Sequence, residues 1–389
     1  MKRNVLLLAL SQAILFTGSS LLLTSCALVG RTLASAKTLA TLPLALLFLA
    51  QMATTIPASL YMQRVGRRLG FMTSSVFGIA GAAIATLGIL KAEFLIFCFG
   101  TMFIGVFNGF GQYYRFAAAE TASDEYRSRA ISYVLAGGLV AAFAGPNLAR
   151  LSRQLLSEEF AGSFAILTGI YLLAFAIAFL MSLPMPAAAD QSTGGRSLSQ
   201  IARQPAYLVA VASAMVGYGV MNFIMIATPL AMHDHAHPFS DTAFVIQWHV
   251  FGMFAPSFFT GQLIRKFGTA NIMLAGVLLL GLCVGVNFSG TTVAHFWSSL
   301  LSLGFGWNFL FVGATTLLTA TYTPDEKAKA QALNDFIVFG TVSLTSLSSG
   351  AVQNILGWTT VNMAVVPLLL LIVWANLWLR GKQGLKIEE

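Results

Sequence analysis

The sequence predicts an all-α membrane protein of twelve transmembrane helices arranged as two six-helix pseudo-repeats, and three observations predict it. The first is composition: of 389 residues, 57% are hydrophobic and only 9% charged, with a mean hydropathy of +0.78. Charged residues make up about a quarter of an ordinary soluble domain. The second is the succession of apolar runs, which at roughly 20 residues per crossing leaves room for about twelve spans and no sizeable soluble domain. The third is a repetition. SLYMQRVGRRLG, Ser59–Gly70, packs Arg64, Arg67 and Arg68 around Gly66 between two apolar runs, and GQLIRKFG, Gly261–Gly268, restates it with Arg265 and Lys266.

Taken in order, the first span covers residues 4–28. Lys2 and Arg3 ahead of it, and Leu23-Thr24-Ser25-Cys26 inside it, imitate a secretory signal with a lipid-modified cysteine; a polytopic chain rarely begins that way, so the run is read as a span. Spans at 38–62 and 69–90 flank the basic turn, and 93–117 carries Asn108, Gln112 and Arg115. Spans at 129–149 and 163–184 complete an N-terminal bundle, 1–188. The polar segment 189–204 reads as a cytoplasmic linker. The C-terminal bundle, 205–389, holds spans at 205–231, 240–264, 270–289, 293–319, 331–353 and 358–380.

Lys and Arg in short loops set orientation. The segments assigned to the cytoplasm hold Lys2, Arg3, Arg64, Arg67, Arg68, Arg127, Arg129, Arg196, Arg203, Arg265, Lys266, Lys327, Lys329, Arg380, Lys382 and Lys386; the outer loops hold Arg31, Lys37, Lys91, Arg150 and Arg153. Both termini are therefore expected in the cytoplasm. The same distribution explains the net charge of +8 without a nucleic-acid partner. Cys26, Cys98 and Cys283 fall inside apolar runs and suggest no disulfide or metal set. His233, Asp234, His235 and His237 crowd one outer loop, where solvation fits them better than a metal ion. There is no P-loop, which excludes ATP-driven transport, and no nucleophile–base pair, so neither enzymatic activity nor a cofactor is expected.

The repetition extends further. Asn108 in GVFNGFG and Asn308 in GFGWNFL occupy corresponding spans, each followed by a charged turn, TASDEYRSRA from Thr121 and TYTPDEKAKA from Thr321. With the turn Ser59–Arg68, these residues resemble the major facilitator superfamily: Arg64, Gly66, Arg67 and Arg68 match its signature loop between helices two and three, and Gly261 and Gly268 match it in the second half. The resemblance covers essentially the whole chain. Ser59 stands where the signature has its first glycine, and Gln63, or Arg265 in the second half, where it has an acidic residue. Ala141, Gly145, Pro146 and Ala149 resemble the glycine–proline motif of drug–proton antiporters, but the following glycine pair is absent. Gly100 and Thr101 stand where that group has an arginine. QYYRFAAAE, Gln112–Glu120, and QWHVFGMFAPSFFTG, Gln247–Gly261, resemble a bacterial branch of the superfamily that includes riboflavin transporters.

Ionisable and amide groups in hydrocarbon cost several kcal/mol unless paired or hydrated, which makes each a functional candidate. Arg115 either faces a central cavity, holding an anionic or carbonyl-bearing solute or pairing with Glu120, or snorkels to the headgroups. His249 either carries a proton or bridges helices. Glu120 is a further proton-coupling candidate and a possible partner of Arg115 or Arg129; Asp335, in a first helical turn, caps or gates. Gln12, Asn108, Gln112, Asn222, Asn308 and Trp307 are the substrate-binding candidates, with Gln51 in the same polar set and Tyr113, Tyr114, Tyr218 and Trp248 able to stack on a planar ligand. Arg64, Gly66, Arg67, Arg68, Arg265, Lys266 and Gly268 are expected in a cytoplasmic gate.

The resemblance implies a monomeric secondary transporter of the inner membrane that moves a small organic solute by alternating access, with the solute among spans one, four, seven and ten, and proton coupling. Uptake of a vitamin-like nutrient and efflux both remain open, as does a transporter-like sensor that moves nothing.

Overall fold

The computed structural model describes residues 2–122, 124–183 and 195–384, all helical apart from short connections. Residues 189–194 of the linker, the side chains of Lys2, Arg127, Arg129 and Lys382, and Lys386 lie outside what is described. The helices are α1 Lys2–Leu33, α2 Leu42–Val65, α3 Arg67–Leu90, α4 Phe94–Gly111, α5 Tyr114–Thr121, α6 Asp124–Ser152 and α7 Ala161–Leu180, then α8 Leu198–Ala202, α9 Pro205–Asp234, α10 Phe239–Phe254, α11 Ser257–Phe267, α12 Thr269–Ser289, α13 Val293–Thr319 and α14 Lys327–Gly384. Among the described residues nine helical stretches are long and apolar enough to cross a membrane. The last of these, Lys329–Gly381, has 53 residues, more than twice the roughly 20 that one crossing takes.

The layout departs from twelve separate rods in three places. The expected fourth span stops being one helix at Gln112–Tyr113, between α4 and α5. The expected eighth breaks between α10 and α11 at Ala255–Pro256, where proline brings no backbone N–H and its ring crowds the preceding turn. The expected eleventh and twelfth are joined without a loop: α14 leaves the helical conformation only at Gly357, φ 79° and ψ 176°. By contrast α6 runs straight through Pro146. A methyl group at Gly145 would lie 2.6 Å from Cβ of Ser20 and 2.8 Å from the Thr17 carbonyl oxygen, so this glycine lets α6 lie against α1.

Helices α1 to α7 pack mainly among themselves, α1 on α6, α3 on α4 and α7, and α2 on α4; α9 to α14 do likewise, α9 on α14 and α13, and α13 on α10 and α12. Contacts of α6 with α10 and of α2 with α14 join the two sets. Gly66 caps α2, its N–H donating to the Met62 carbonyl at 2.9 Å, and starts α3 with φ 87° and ψ 156°. Gly268 caps α11 and starts α12 with φ 83° and ψ 151°. Both repeated motifs thus turn on a glycine in a region of φ/ψ space closed to other residues. No neighbouring atom lies within 4 Å of a methyl group built on Gly268, so Gly268→Ala isolates the backbone strain. The substitution is expected to cost about 1–3 kcal/mol, read as a lower thermal midpoint of the purified protein in detergent.

The polar segment before α9 is anchored to the second set. Glu326 is almost fully buried and accepts from the Arg196 guanidinium at 2.7 and 2.9 Å and from the backbone N–H groups of Arg196 and Thr323. These donors, the guanidinium first, hold the Glu326 carboxyl well below the usual carboxylate range. Its contribution is therefore complete above that range and lost only as pH falls through the depressed value.

Candidate functional site

Between the two sets lies a cavity of about 120 Å³. Helix α1 contributes Leu15, Phe16, Ser19, Ser20, Leu22 and Leu23; α2 contributes Leu44, Leu47, Phe48 and Gln51; Asn108 comes from α4, with Gln112 just beyond its end. The second set closes the wall with Tyr218, Met221, Asn222 and Met225 of α9 and Val250, Met253 and Phe254 of α10. The rings of Phe16 and Phe254, from opposite sets, stand 4.8 Å apart. Among the described residues, no Asp, Glu, Lys, Arg or His is on this wall. Such a site suits an uncharged solute, because a charge brought there would lose its hydration without gaining a counter-ion.

The polar atoms on the wall are unevenly satisfied. Asn222 Nδ2 donates to the Val342 carbonyl, Thr345 Oγ1 and Ser346 Oγ at 3.1, 3.0 and 2.8 Å. A carbonyl only accepts, so this contact fixes which way the amide points and leaves its Oδ1 without a partner. Asn108 Oδ1 and Ser20 Oγ are also buried and unpartnered.

Of the predicted binding residues, the structure brings Asn108, Gln112 and Asn222 together on this wall. Asn308 is elsewhere: its Nδ2 donates to the Met253 carbonyl and Ser257 Oγ, and its Oδ1 accepts from Thr260, all at 2.7 Å. It ties α13 across the break between α10 and α11. Trp307 sits one layer back, stacked on Phe311 at 5.2 Å and edge-on to Tyr218 at 5.3 Å. Gln12 is buried in α1 away from the cavity. Of the spans expected around the solute, one, four and seven, here α1, α4 and α9, line this cavity together with α2 and α10, while the tenth, α13, packs against α9 and α10 and is not on its wall. Sequence reasoning missed Ser20, Phe16 and Phe254; it weighed amides and ionisable groups, and a hydroxyl within an apolar run carries no comparable signal.

His249 is fully buried but off the cavity wall. Its Nδ1 donates to the Leu300 carbonyl at 2.8 Å, binding α10 to α13, and its Nε2 has no partner. Arg115 is exposed, its guanidinium 4.9 Å from the centre of the Phe116 ring. Asp335 accepts from Asn334 at 3.0 Å. Glu120 does not pair with Arg115. Arg67 grips both its oxygens, Nε to Oε2 at 2.6 Å and a second bond to Oε1, while the guanidinium lies 5.9 Å from the Tyr113 ring. Tyr113 in turn donates to the Thr55 carbonyl at 2.8 Å. Arg68 lies over Phe179 and Lys266 over Phe267; Arg64 and Arg265 are exposed.

Several hydrogen bonds and an ion pair join the two sets toward the end of the bundle where α1 stops. They are Arg31 with Asp234 at 2.5 Å, Asn147 with Gln247 at 2.8 Å, and Thr41 with Leu347 and Gly350 at 3.4 and 3.2 Å. The Phe160 and Phe239 rings, 4.9 Å apart, add to them. The cavity is thus sealed on that side by side chains of both sets.

A model of the Major Facilitator Superfamily matches residues 8–334. A riboflavin transporter of Brucella anthropi, RfnT, is 41% identical over 377 residues, covering 96% of this chain and 94% of that protein. YdeG, an uncharacterised transporter of the same type from Bacillus subtilis, is 26% identical over 403 residues, covering 98% and 93%. The crystal structure of the nucleoside transporter NupG superposes with a TM-score of 0.74 at 12% identity, covering 96% of this chain and 99% of that one; at that identity it speaks to the fold alone.

Proposed function

The chain belongs to the Major Facilitator Superfamily, a multi-pass membrane transporter rather than an enzyme, and from that premise we propose that it takes up an uncharged, planar, riboflavin-like vitamin across the inner membrane. The observation that carries this reading is the cavity wall: neutral amides, aromatic rings and apolar side chains, with no ionisable group among the described residues beyond the Tyr218 phenol. The relative named as a riboflavin transporter supports the solute. The missing efflux residues at Gly100, Thr101 and after Pro146 support uptake over expulsion.

The mechanism proposed is alternating access between two six-helix halves, α1–α7 and α9–α14, with twelve crossings and both termini in the cytoplasm. The matching dihedrals of Gly66 and Gly268 support the repeat, and the basic turns that follow α2 and α11 support the orientation. In this arrangement the seal at Arg31 and Asp234 faces outward and the cavity opens inward. Closing the inner side would bring Arg115 toward Asp335, and Arg67, Arg68, Arg265 and Lys266 would ride on the moving hinges. Binding falls to the neutral wall, and Asn308 and Trp307 brace it from behind. A second reading, coupling to protons through His249, is favoured by its unpartnered Nε2 in a helix that also supplies the wall.

The test is uptake of labelled riboflavin by cells that lack their own carrier, with and without an imposed proton gradient. Riboflavin accumulation above the empty-vector level is expected, competed by excess unlabelled vitamin. Uptake equal to the empty vector sinks the vitamin reading. Gradient-dependent uptake that survives His249→Gln would remove His249 from the coupling.

A further inference from the structure

Three buried, unpartnered polar atoms belong to residues of three different helices that line one cavity: Ser20 Oγ of α1, Asn108 Oδ1 of α4 and Asn222 Oδ1 of α9. Their residues are 2%, 3% and 1% exposed. Buried polar atoms are almost always paired, and leaving one unpaired is costly, so three on one wall mark a place where a ligand supplies the partners. Their chemistry says which. The two amide oxygens only accept, and the contact of Asn222 Nδ2 with the Val342 carbonyl keeps that amide from turning over. Ser20 keeps a hydroxyl proton to give, since it makes no bond to the carbonyl one turn earlier in α1, as Ser19 and Thr24 do.

The geometry points to a cyclic imide or ureide edge, a ring N–H beside a ring carbonyl, as the feature this carrier recognises: Asn108 and Asn222, from opposite sides of the cavity, take N–H or O–H donors of the solute, and Ser20 donates to its carbonyl. The inference rests on the vitamin-uptake reading, since riboflavin presents such an edge, but it is narrower and separable. It also excludes the phosphorylated form of the same solute, because among the described residues no cation stands on the wall to replace the water around a phosphate.

The full-length protein in nanodiscs, titrated with riboflavin and with its N3-methyl derivative, tests it by quenching of flavin fluorescence; riboflavin 5′-phosphate and the simple imide uridine are read by thermal shift. Methylating N3 removes the donor and is expected to weaken binding about tenfold or more, the size of one buried hydrogen bond left unmade. In Asn108→Ala the two flavins should bind within about twofold of each other, and the phosphate should produce no shift. Asn108→Ser, a smaller perturbation of packing, gives the same reading if the alanine protein fails to accumulate; the comparison of ligands on the unaltered protein needs no variant. Equal binding of riboflavin and N3-methylriboflavin would overturn the recognition while leaving vitamin uptake standing. Binding of uridine but not riboflavin, weakened by N3 methylation of the uridine, would keep the recognition and remove the vitamin. Binding of neither overturns both.

Discussion

Glu120→Gln is expected to destabilise the protein more than Arg67→Gln, although the two changes break the same contact. The Arg67 side chain is 9% exposed and that of Glu120 is 40% exposed. Removing the carboxylate strands a guanidinium that water reaches poorly, and breaking a buried pair in that way costs about 3–5 kcal/mol. Removing the guanidinium leaves a carboxylate that rehydrates, so the loss falls to about 1–3 kcal/mol, mostly two charge-assisted hydrogen bonds. Transport should fail in both, because the pair ties the first turn of α3 to α5 at the hinge formed by Gly66. The check is a thermal midpoint series in detergent that includes Arg67→Met with Glu120→Met. The double variant should be more stable than Glu120→Gln alone; if it is the least stable of the three, the buried charge is not what matters.

Gly105→Leu should abolish folding, whereas Gly281→Leu should pass unnoticed. A methyl group at Gly105 would lie 2.2 Å from the Leu47 carbonyl oxygen and 3.0 Å from its carbon, both backbone atoms. Side chains can rotate away from such contact; a main-chain carbonyl in a packed helix moves only if α4 and α2 separate. Overpacking by even a methylene or two costs about 1–3 kcal/mol, and a leucine asks for far more room. Gly105→Ala is therefore the informative intermediate. It should fold with a lowered midpoint and lose flavin binding, since Gly105 is one turn from Asn108 on the cavity wall. Gly281 has nothing within 4 Å of its would-be methyl group and is exposed, so a leucine there meets open space and changes stability by no more than about 0.5 kcal/mol. Membrane insertion and size-exclusion profiles of the three variants decide the matter.

That two glycines in apolar helices can differ so much marks the limit of what local pattern encodes. Hydropathy, the basic turns and the repeated glycine hinges are local or pairwise features of the chain, and they suffice for the helices and the family. Which face of a helix meets a cavity depends on its rotation against neighbours far away in sequence. Asn108 and Asn308 show this: they stand at equivalent places in two similar motifs, yet one lines the cavity and the other is consumed in bridging α13 to α10 and α11. Glu120 shows it again. Its partner proved to be Arg67, brought close by the packing of α3 on α4, and not Arg115 five residues away. The break at Pro256 was legible as a proline, but its effect was not, because prolines at 146 and 229 leave α6 and α9 unbroken.

The seal at the end of α1 has an energetic meaning. Its ion pair, Arg31 with Asp234, is 22% and 30% exposed, and pairs so open to water are worth only about 0–1 kcal/mol. Its other polar bonds are single contacts of neutral groups, each about 0.5–1.5 kcal/mol. A barrier assembled from such weak fasteners costs little to open, a cost within reach of the differential affinity of one small ligand. The carrier can then be opened by its own cargo, and strengthening these fasteners would make a tighter protein and a slower one.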